Sequence, residues 1–169
     1  MEEIQAGRRT RNTTKRTNRI MSDLFGNEKI LALSWKEPFG SMMLHGKIET
    51  RTWGTNYRGL VLICCSQKAY SLQQVDAICG GERNAGRIVG KLGQFWKNTD
   101  TLGMAIGIGR LINSRRMIPT DEEKAYVAYY DDLYSHIYEY VRPLKPFPWK
   151  GSQGWKTVEQ SIIDKIELL

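Results

Sequence analysis

Six consecutive apolar residues, Leu60-Val-Leu-Ile-Cys-Cys65, stand between Gly59 and Ser66 and constrain the fold more than any other stretch of the chain. The run is short, partly β-branched and bounded by turn-forming residues, so it predicts a buried strand over 60–65. The residues just before it are of the opposite character: Lys47, Glu49, Arg51, Trp53, Asn56, Tyr57 and Arg58. Charges of that density cannot enter a core without partners. A polar, aromatic, glycine-punctuated segment that feeds directly into a core strand predicts a site carried on a rigid scaffold.

The chain of 169 residues is long enough for one domain with a sizeable core, and its apolar fraction of 41% suits an ordinary globular protein. No apolar run approaches the ~20 residues of a membrane helix, and the N-terminus lacks the apolar stretch of a secretion signal, so a cytoplasmic location is expected. Three cysteines, two of them adjacent, make no disulfide framework; Cys64 and Cys65 are expected as reduced thiols on opposite faces of one strand. With no Cys-x-x-Cys and only His45 and His136, neither a metal nor another cofactor is expected.

The net charge of +7 is unevenly placed: residues 1–20 hold Arg8, Arg9, Arg11, Lys15, Arg16 and Arg19 against Glu2 and Glu3, a local excess of +4. Ile4 and Ile20 are their only large apolar residues, so 1–20 reads as a basic, disordered extension. It serves either as an arm that contacts nucleic acid through counterion release or as a solvated tail. The folded domain is expected over 29–169.

The remaining elements follow from periodicity and punctuation. Strands are predicted over 29–34, 48–53, 103–112 and 137–141, besides 60–65. A short helix is predicted after Pro38, over 39–44, stopped by Gly46. Ser71-x-x-Gln74 reads as a capping box for a helix to Cys79, ended by Gly80-Gly81. Ala85, Ile88, Val89, Leu92, Phe95 and Trp96 recur at helical spacing within 82–100, although Gly86, Gly90 and Gly93 weaken that helix. Thr120-x-x-Glu123 reads as a further capping box with a helix to about Tyr130. Three prolines keep 143–149 extended. A last helix, opened by Thr157-x-x-Gln160, carries Ile162, Ile163, Ile166 and Leu169 as its buried stripe. Gly107-x-Gly109 lacks the third glycine and the strand-to-helix context of a nucleotide loop, and fits a bulge or bend instead. About five or six strands with a few helices predict an α+β domain built on a small mixed barrel.

Within the central stretch, Arg51 and Arg58 have the forked geometry for phosphate or a base edge. Trp53 and Tyr57 can stack a base, worth ~1–3 kcal/mol in single-strand binders. Glu49 can accept from an amino group or move a proton. Each has a plainer structural reading: Glu49 and Arg51 share a strand face and can pair with each other, and Trp53 can be core. His136 reads as a surface or core histidine, and Asp131 and Asp132 as a solvated pair.

Ala32-Leu-Ser, Pro38-Phe, Gly46-Lys-Ile-Glu-Thr-Arg-Thr-Trp-Gly-Thr-Asn-Tyr-Arg-Gly59 and the apolar strand ending in Cys65-Ser resemble the ASCH domain (activating signal cointegrator homology), a relative of the PUA domain. Arg142-Pro-Leu-Lys-Pro-Phe-Pro-Trp-Lys-Gly-Ser-Gln-Gly-Trp155 resembles the segment that closes that domain in bacterial and phage members. The resemblance implies a PUA-like β-barrel flanked by helices, with a cleft holding the charged motif. It implies RNA or modified-nucleotide binding, with Arg51, Trp53, Thr55, Asn56, Tyr57, Arg58, Lys150, Gln153 and Trp155 as ligand-binding residues. It also implies an alternative, an amidohydrolase that deacylates N4-acetylcytidine-type nucleosides, with Lys47 and Glu49 as catalytic residues. A protein-interaction adaptor is a further alternative.

The spacing departs from the family's. In the pattern Gly-x-Lys-x-x-Glu-x-Arg, counted back from Glu49 and Arg51, the lysine position falls on Gly46. The enzymatic pattern Lys-x-x-Thr-x-Arg fits Lys47 and Thr50, but Arg51 follows Thr50 at once. A one-residue slip on a strand reverses every side chain. Glu49 and Arg51 are therefore expected at the cleft, Lys47 only if the preceding turn swings it back, and Thr50 on the other face. The segment around Lys150 and Gln153 is expected either as a loop over the cleft, offering backbone amides to an anion, or as a connection packed on the barrel.

Overall fold

The computed structural model describes residues 26, 28–80, 82–92 and 99–169. The basic stretch 1–20, Gly93, Phe95 and Trp96 lie outside the described residues. The domain is α+β. Strands β1 (Ile30–Trp35), β2 (Glu49–Arg51), β3 (Gly59–Cys65), β4 (Met104–Arg116), β5 (Tyr134–Pro148) and β6 (Lys156–Thr157) form one mixed sheet in the order β2-β5-β4-β3-β1-β6, curled into a half-barrel. Among the described strands only β1 and β3 run parallel. Helices α1 (Phe39–Met43), α2 (Leu72–Cys79), α3 (Glu82–Leu92), α4 (Glu122–Ala125) and α5 (Gln160–Ile163) complete the described elements.

The apolar run behaves as its composition demands. Every residue of β3 is buried. Val61, Ile63 and Cys65 face a core shared with Leu33, Trp35, Phe39, Met42 and Val75. Leu60, Leu62 and Cys64 face a second core with Ile30, Ala32, Ile108, Leu144 and Ile166. Each large apolar side chain so buried is worth about 1.5–3 kcal/mol, which makes β3 the spine of both layers. Cys64 and Cys65 thus lie on opposite faces, and the three cysteines are free and buried.

Ser71 caps α2 as its sequence predicts: its Oγ accepts from the Gln74 N–H at 3.2 Å, and the Gln74 side chain accepts from the Ser71 N–H at 2.9 Å. Gly80 ends the helix in the left-handed conformation, φ 78°. In α3 Ile88 is buried, whereas Val89 is exposed.

Four expectations need correction. The capping box at Thr120 does not form. Asp121 instead accepts from the Ile118 N–H at 3.1 Å, and the helix ends after Ala125 because Tyr126 turns left-handed at φ 57°, so it never reaches Tyr130. The strand predicted over 137–141 is one part of a fifteen-residue β5 that continues through the prolines. Pro143, Pro146 and Pro148 are tolerated because they lie at or beside the register shift between Ala105 and Gly107, where the ladder is already broken. Residues 156–157 pair with β1 instead of opening the last helix, which begins after Glu159. Leu169 leaves the expected stripe, at 79% exposure, while Ile166 is buried.

Candidate functional site

The ends of parallel β1 and β3, short β2, α1 and the loop before β6 surround a cavity of about 430 Å³. Its walls include Trp35, Phe39, Trp53 and Tyr70, and its charged groups are Lys36, Lys47, Glu49 and Arg51. Volumes of this size suit a single small molecule.

Lys47 reaches the site through the turn that ends α1. Gly46 adopts φ 78°, and the Lys47 N–H returns to the Met42 carbonyl at 3.3 Å. This reversal precedes the strand, so the lysine is not bound by strand alternation. Its side chain runs under α1, with Nζ 5.1 Å from the centre of the Phe39 ring. Nζ donates to the Ile48 carbonyl at 2.8 Å and to Glu49 Oε2 at 3.3 Å. Lys47 is 3% exposed and Glu49 5%.

Glu49 and Arg51 share one face of β2. Glu49 Oε1 and Arg51 Nε are 2.9 Å apart, an ion pair by distance though not an aligned hydrogen bond. Arg51 also donates to the Ser34 carbonyl at 3.2 Å, and its guanidinium lies 5.6 Å from the Trp35 ring and 5.9 Å from the Trp53 ring. One carboxylate thus joins two cations. Burial pulls the Lys47 ammonium below its ordinary range; Glu49 opposes that fall and Arg51 adds to it. Thr50, expected on the face away from the cleft, also borders the cavity.

A layer of aromatic rings stands behind the site. Trp53 meets His136 edge-on at 5.0 Å and Trp155 at 5.9 Å, and Trp155 leans on Tyr57 at 5.5 Å. His136 lies opposite Glu49 in the β2–β5 ladder and is fully buried, with Nε2 3.0 Å from the Trp53 carbonyl oxygen. Burial lowers its pKa and so favours the neutral ring, while the Trp53 carbonyl and Glu49 oppose the fall.

The structure therefore brings Lys47, Glu49, Arg51, Trp53 and Gln153 to one cavity. It does not bring Thr55, Asn56, Tyr57, Arg58, Lys150 or Trp155 to its wall. The Thr55 N–H donates to Ser114 Oγ at 3.0 Å, and its Oγ1 accepts from the Tyr57 N–H. Tyr57 Oη donates to the Leu60 carbonyl at 2.7 Å and contacts that of Lys29 at 3.1 Å, tying the loop to the sheet. Arg58 folds back on the Thr55 and Tyr57 carbonyls, at 2.9 and 2.7 Å. Asn56 is exposed. Lys150 is exposed, and its carbonyl accepts from Lys156 Nζ at 3.0 Å. These residues build the loop that presents the site, because turns satisfy their own backbone groups first.

Sequence reasoning missed Ser34, Trp35, Lys36, Phe39, Ser66 and Tyr70, all of which line the cavity. A signal existed for some of them. Trp35 ends one apolar strand and Lys36 follows it, and Ser66 follows another, at the carboxyl ends of the parallel pair β1 and β3, where crevices form. Glu37 was missed as well. Its buried carboxylate accepts from the Ser41 N–H at 2.9 Å, Ser41 Oγ at 2.7 Å, Thr101 Oγ1 at 2.5 Å and Cys65 Sγ at 3.1 Å, away from the cavity wall.

No protein-family model and no curated protein matches this chain. Among the described residues no cluster of three or more His, Cys, Asp or Glu side chains is suited to a metal ion, and no helix is long and apolar enough to cross a membrane.

Proposed function

We propose that this is a PUA-like, ASCH-related module whose cavity holds one nucleobase, presented by a nucleotide or by RNA. The observation that carries this reading is the convergence of Lys47, Glu49 and Arg51 with Trp35 and Trp53 on a single cavity of about 430 Å³. Trp53, only partly buried, supplies an apolar face for a heterocycle beside buried Trp35, and the ionic groups supply donors and an acceptor for its edge. Trp53 and Trp35 make tryptophan fluorescence a direct reporter. Titration with ribonucleosides and short single-stranded RNA at low salt is expected to quench it. Arg51→Ala weakens binding by about tenfold or more, the contribution of one charge-assisted hydrogen bond. Arg58→Ala, remote from the cavity wall, leaves it near wild type. Absence of any nucleoside or RNA binding at low salt defeats the reading.

One observation favours a second reading, hydrolysis of an acylated cytosine. Lys47 is desolvated and its pKa is lowered by that burial, although the Glu49 carboxylate it touches opposes the fall, and a desolvated lysine is the residue type that serves as nucleophile or base. In that reading water cleaves the amide of N4-acetylcytidine to cytidine and acetate, with Lys47 as nucleophile or base and Glu49 assisting. Chromatography after incubation decides it: no turnover by the wild type, or undiminished turnover by Lys47→Ala, removes the enzyme.

A further inference from the structure

The charge of the cavity says more about its ligand than its shape does. Three cations and one carboxylate line it: Lys36, Lys47 and Arg51 against Glu49. Glu49 is engaged by both Lys47 and Arg51, so no lining carboxylate remains to balance Lys36. Glu37, the next residue in the chain, is committed to Ser41, Thr101 and Cys65. Among the described residues Lys36 has no carboxylate within ion-pair distance; its Nζ rests 4.8 Å from the centre of the Tyr70 ring.

The groups near Lys36 are donors. Ser34 and Ser66 line the cavity with it, as do residues 152–154 of the loop before β6. That loop approaches closely at Gly151, where a Cβ would stand 2.8 Å from Ser34 Oγ. Among the described residues the N–H groups of 151–154 donate to no backbone carbonyl. Hydroxyls, an unpaired ammonium and free backbone amides around one opening form a setting for a tetrahedral oxyanion.

We infer that the cavity takes a nucleoside monophosphate, with the base on the Trp35–Trp53 side near Arg51 and the phosphate at the rim formed by Lys36, Ser34, Ser66 and the 152–154 loop. This rests on the base-binding reading above and adds the charged half of the ligand. The phosphate supplies the negative charge that the lining lacks.

The test compares each of the four ribonucleosides with its 5′-monophosphate by calorimetry on the whole chain, at low and at high salt. At low salt the monophosphate of the base that binds is expected to bind about tenfold or more tightly than its nucleoside, the value of one charge-assisted contact. The gap shrinks as salt screens the exposed ammonium, and Lys36→Met narrows it. Lys36 is exposed, so that variant folds. Inorganic phosphate competes with the monophosphate. Equal affinities for nucleoside and monophosphate, or a gap that Lys36→Met leaves intact, overturn the phosphate rim while the base pocket stands. Binding of neither compound overturns the base-binding reading itself.

Discussion

Replacing Glu49 by Met keeps the length and apolar stem of the side chain but removes the carboxylate between Lys47 and Arg51. At the 3.3 Å separation from Lys47, with an effective dielectric constant of about 20, the attraction lost is on the order of 5 kcal/mol. The Arg51 partner is a quarter exposed, so solvent screens that half of the loss. Removing one member of a buried ion pair costs about 3–5 kcal/mol, because the other charge stays behind unpaired. Glu49→Met is therefore expected to lower stability by about 3–5 kcal/mol and the melting temperature by about 10 °C. Lys47→Met is expected within about 1 kcal/mol of wild type, since Glu49 keeps Arg51 and a costly buried ammonium is gone. Urea titration of both variants and the wild type measures the difference. The pH dependence gives a second reading. A lysine whose folded pKa is depressed binds its proton less tightly than in the unfolded chain. Wild type therefore gains stability relative to Lys47→Met as pH rises from the depressed value towards the ordinary 10.5. A Glu49→Met protein as stable as wild type, or a Lys47→Met protein several kcal/mol weaker, refutes the buried triad.

Two further outcomes test the scaffold. Asp121 is held to about 2 chiefly by Arg115, whose guanidinium binds both carboxylate oxygens at 2.6 and 2.8 Å, and also by Ser135 and the Ile118 N–H. This lowered pKa stabilises the fold by about 2 kcal/mol above the ordinary carboxylate range, and the gain is lost as pH falls towards 2. Asp121→Asn is accordingly weaker by about that amount at pH 7, and acid titration of both proteins should converge. Gly80→Ala places a Cβ 2.7 Å from that of Ala128 at φ 78° and is expected to cost about 1–3 kcal/mol. Gly86→Ala, in α3 with nothing within 4 Å, is expected to stabilise by up to about 1 kcal/mol, and chemical denaturation of the pair checks both signs.

The parts of this fold that sequence reveals are those governed by local rules. β3 is legible because a run buried on both faces leaves no polar residue to blur it, and α2 because Ser71, Gln74 and Gly80 satisfy their own helix ends. β5 is not legible over its full length, because its prolines look like breakers until the matching irregularity in β4 is known. In place of the Thr120 box, Asp121 accepts from the Ile118 N–H, and its carboxylate is fixed by Arg115 and by Ser135 on β5. The pairing of Glu49 with Arg51 follows from strand alternation. Lys47 falls on the same alternation, two residues before Glu49, but it precedes β2 and is delivered to them by the Gly46 turn. Trp35, Phe39 and Tyr70 become cavity walls through tertiary placement, and no spacing along the chain relates them to Arg51.

The position of β6 sets the order in which the site comes into being during synthesis. Most of the cavity is encoded between residues 33 and 78, yet its outer wall, 152–154, is held in place by a two-residue strand added to the edge of β1. A ribosome-borne chain that has not yet extruded Thr157 lacks the pairing that fixes this wall beside β1. On the proposed base-binding reading, a fragment ending before β6 should keep the ionic triad and bind the nucleotide more weakly than the whole chain.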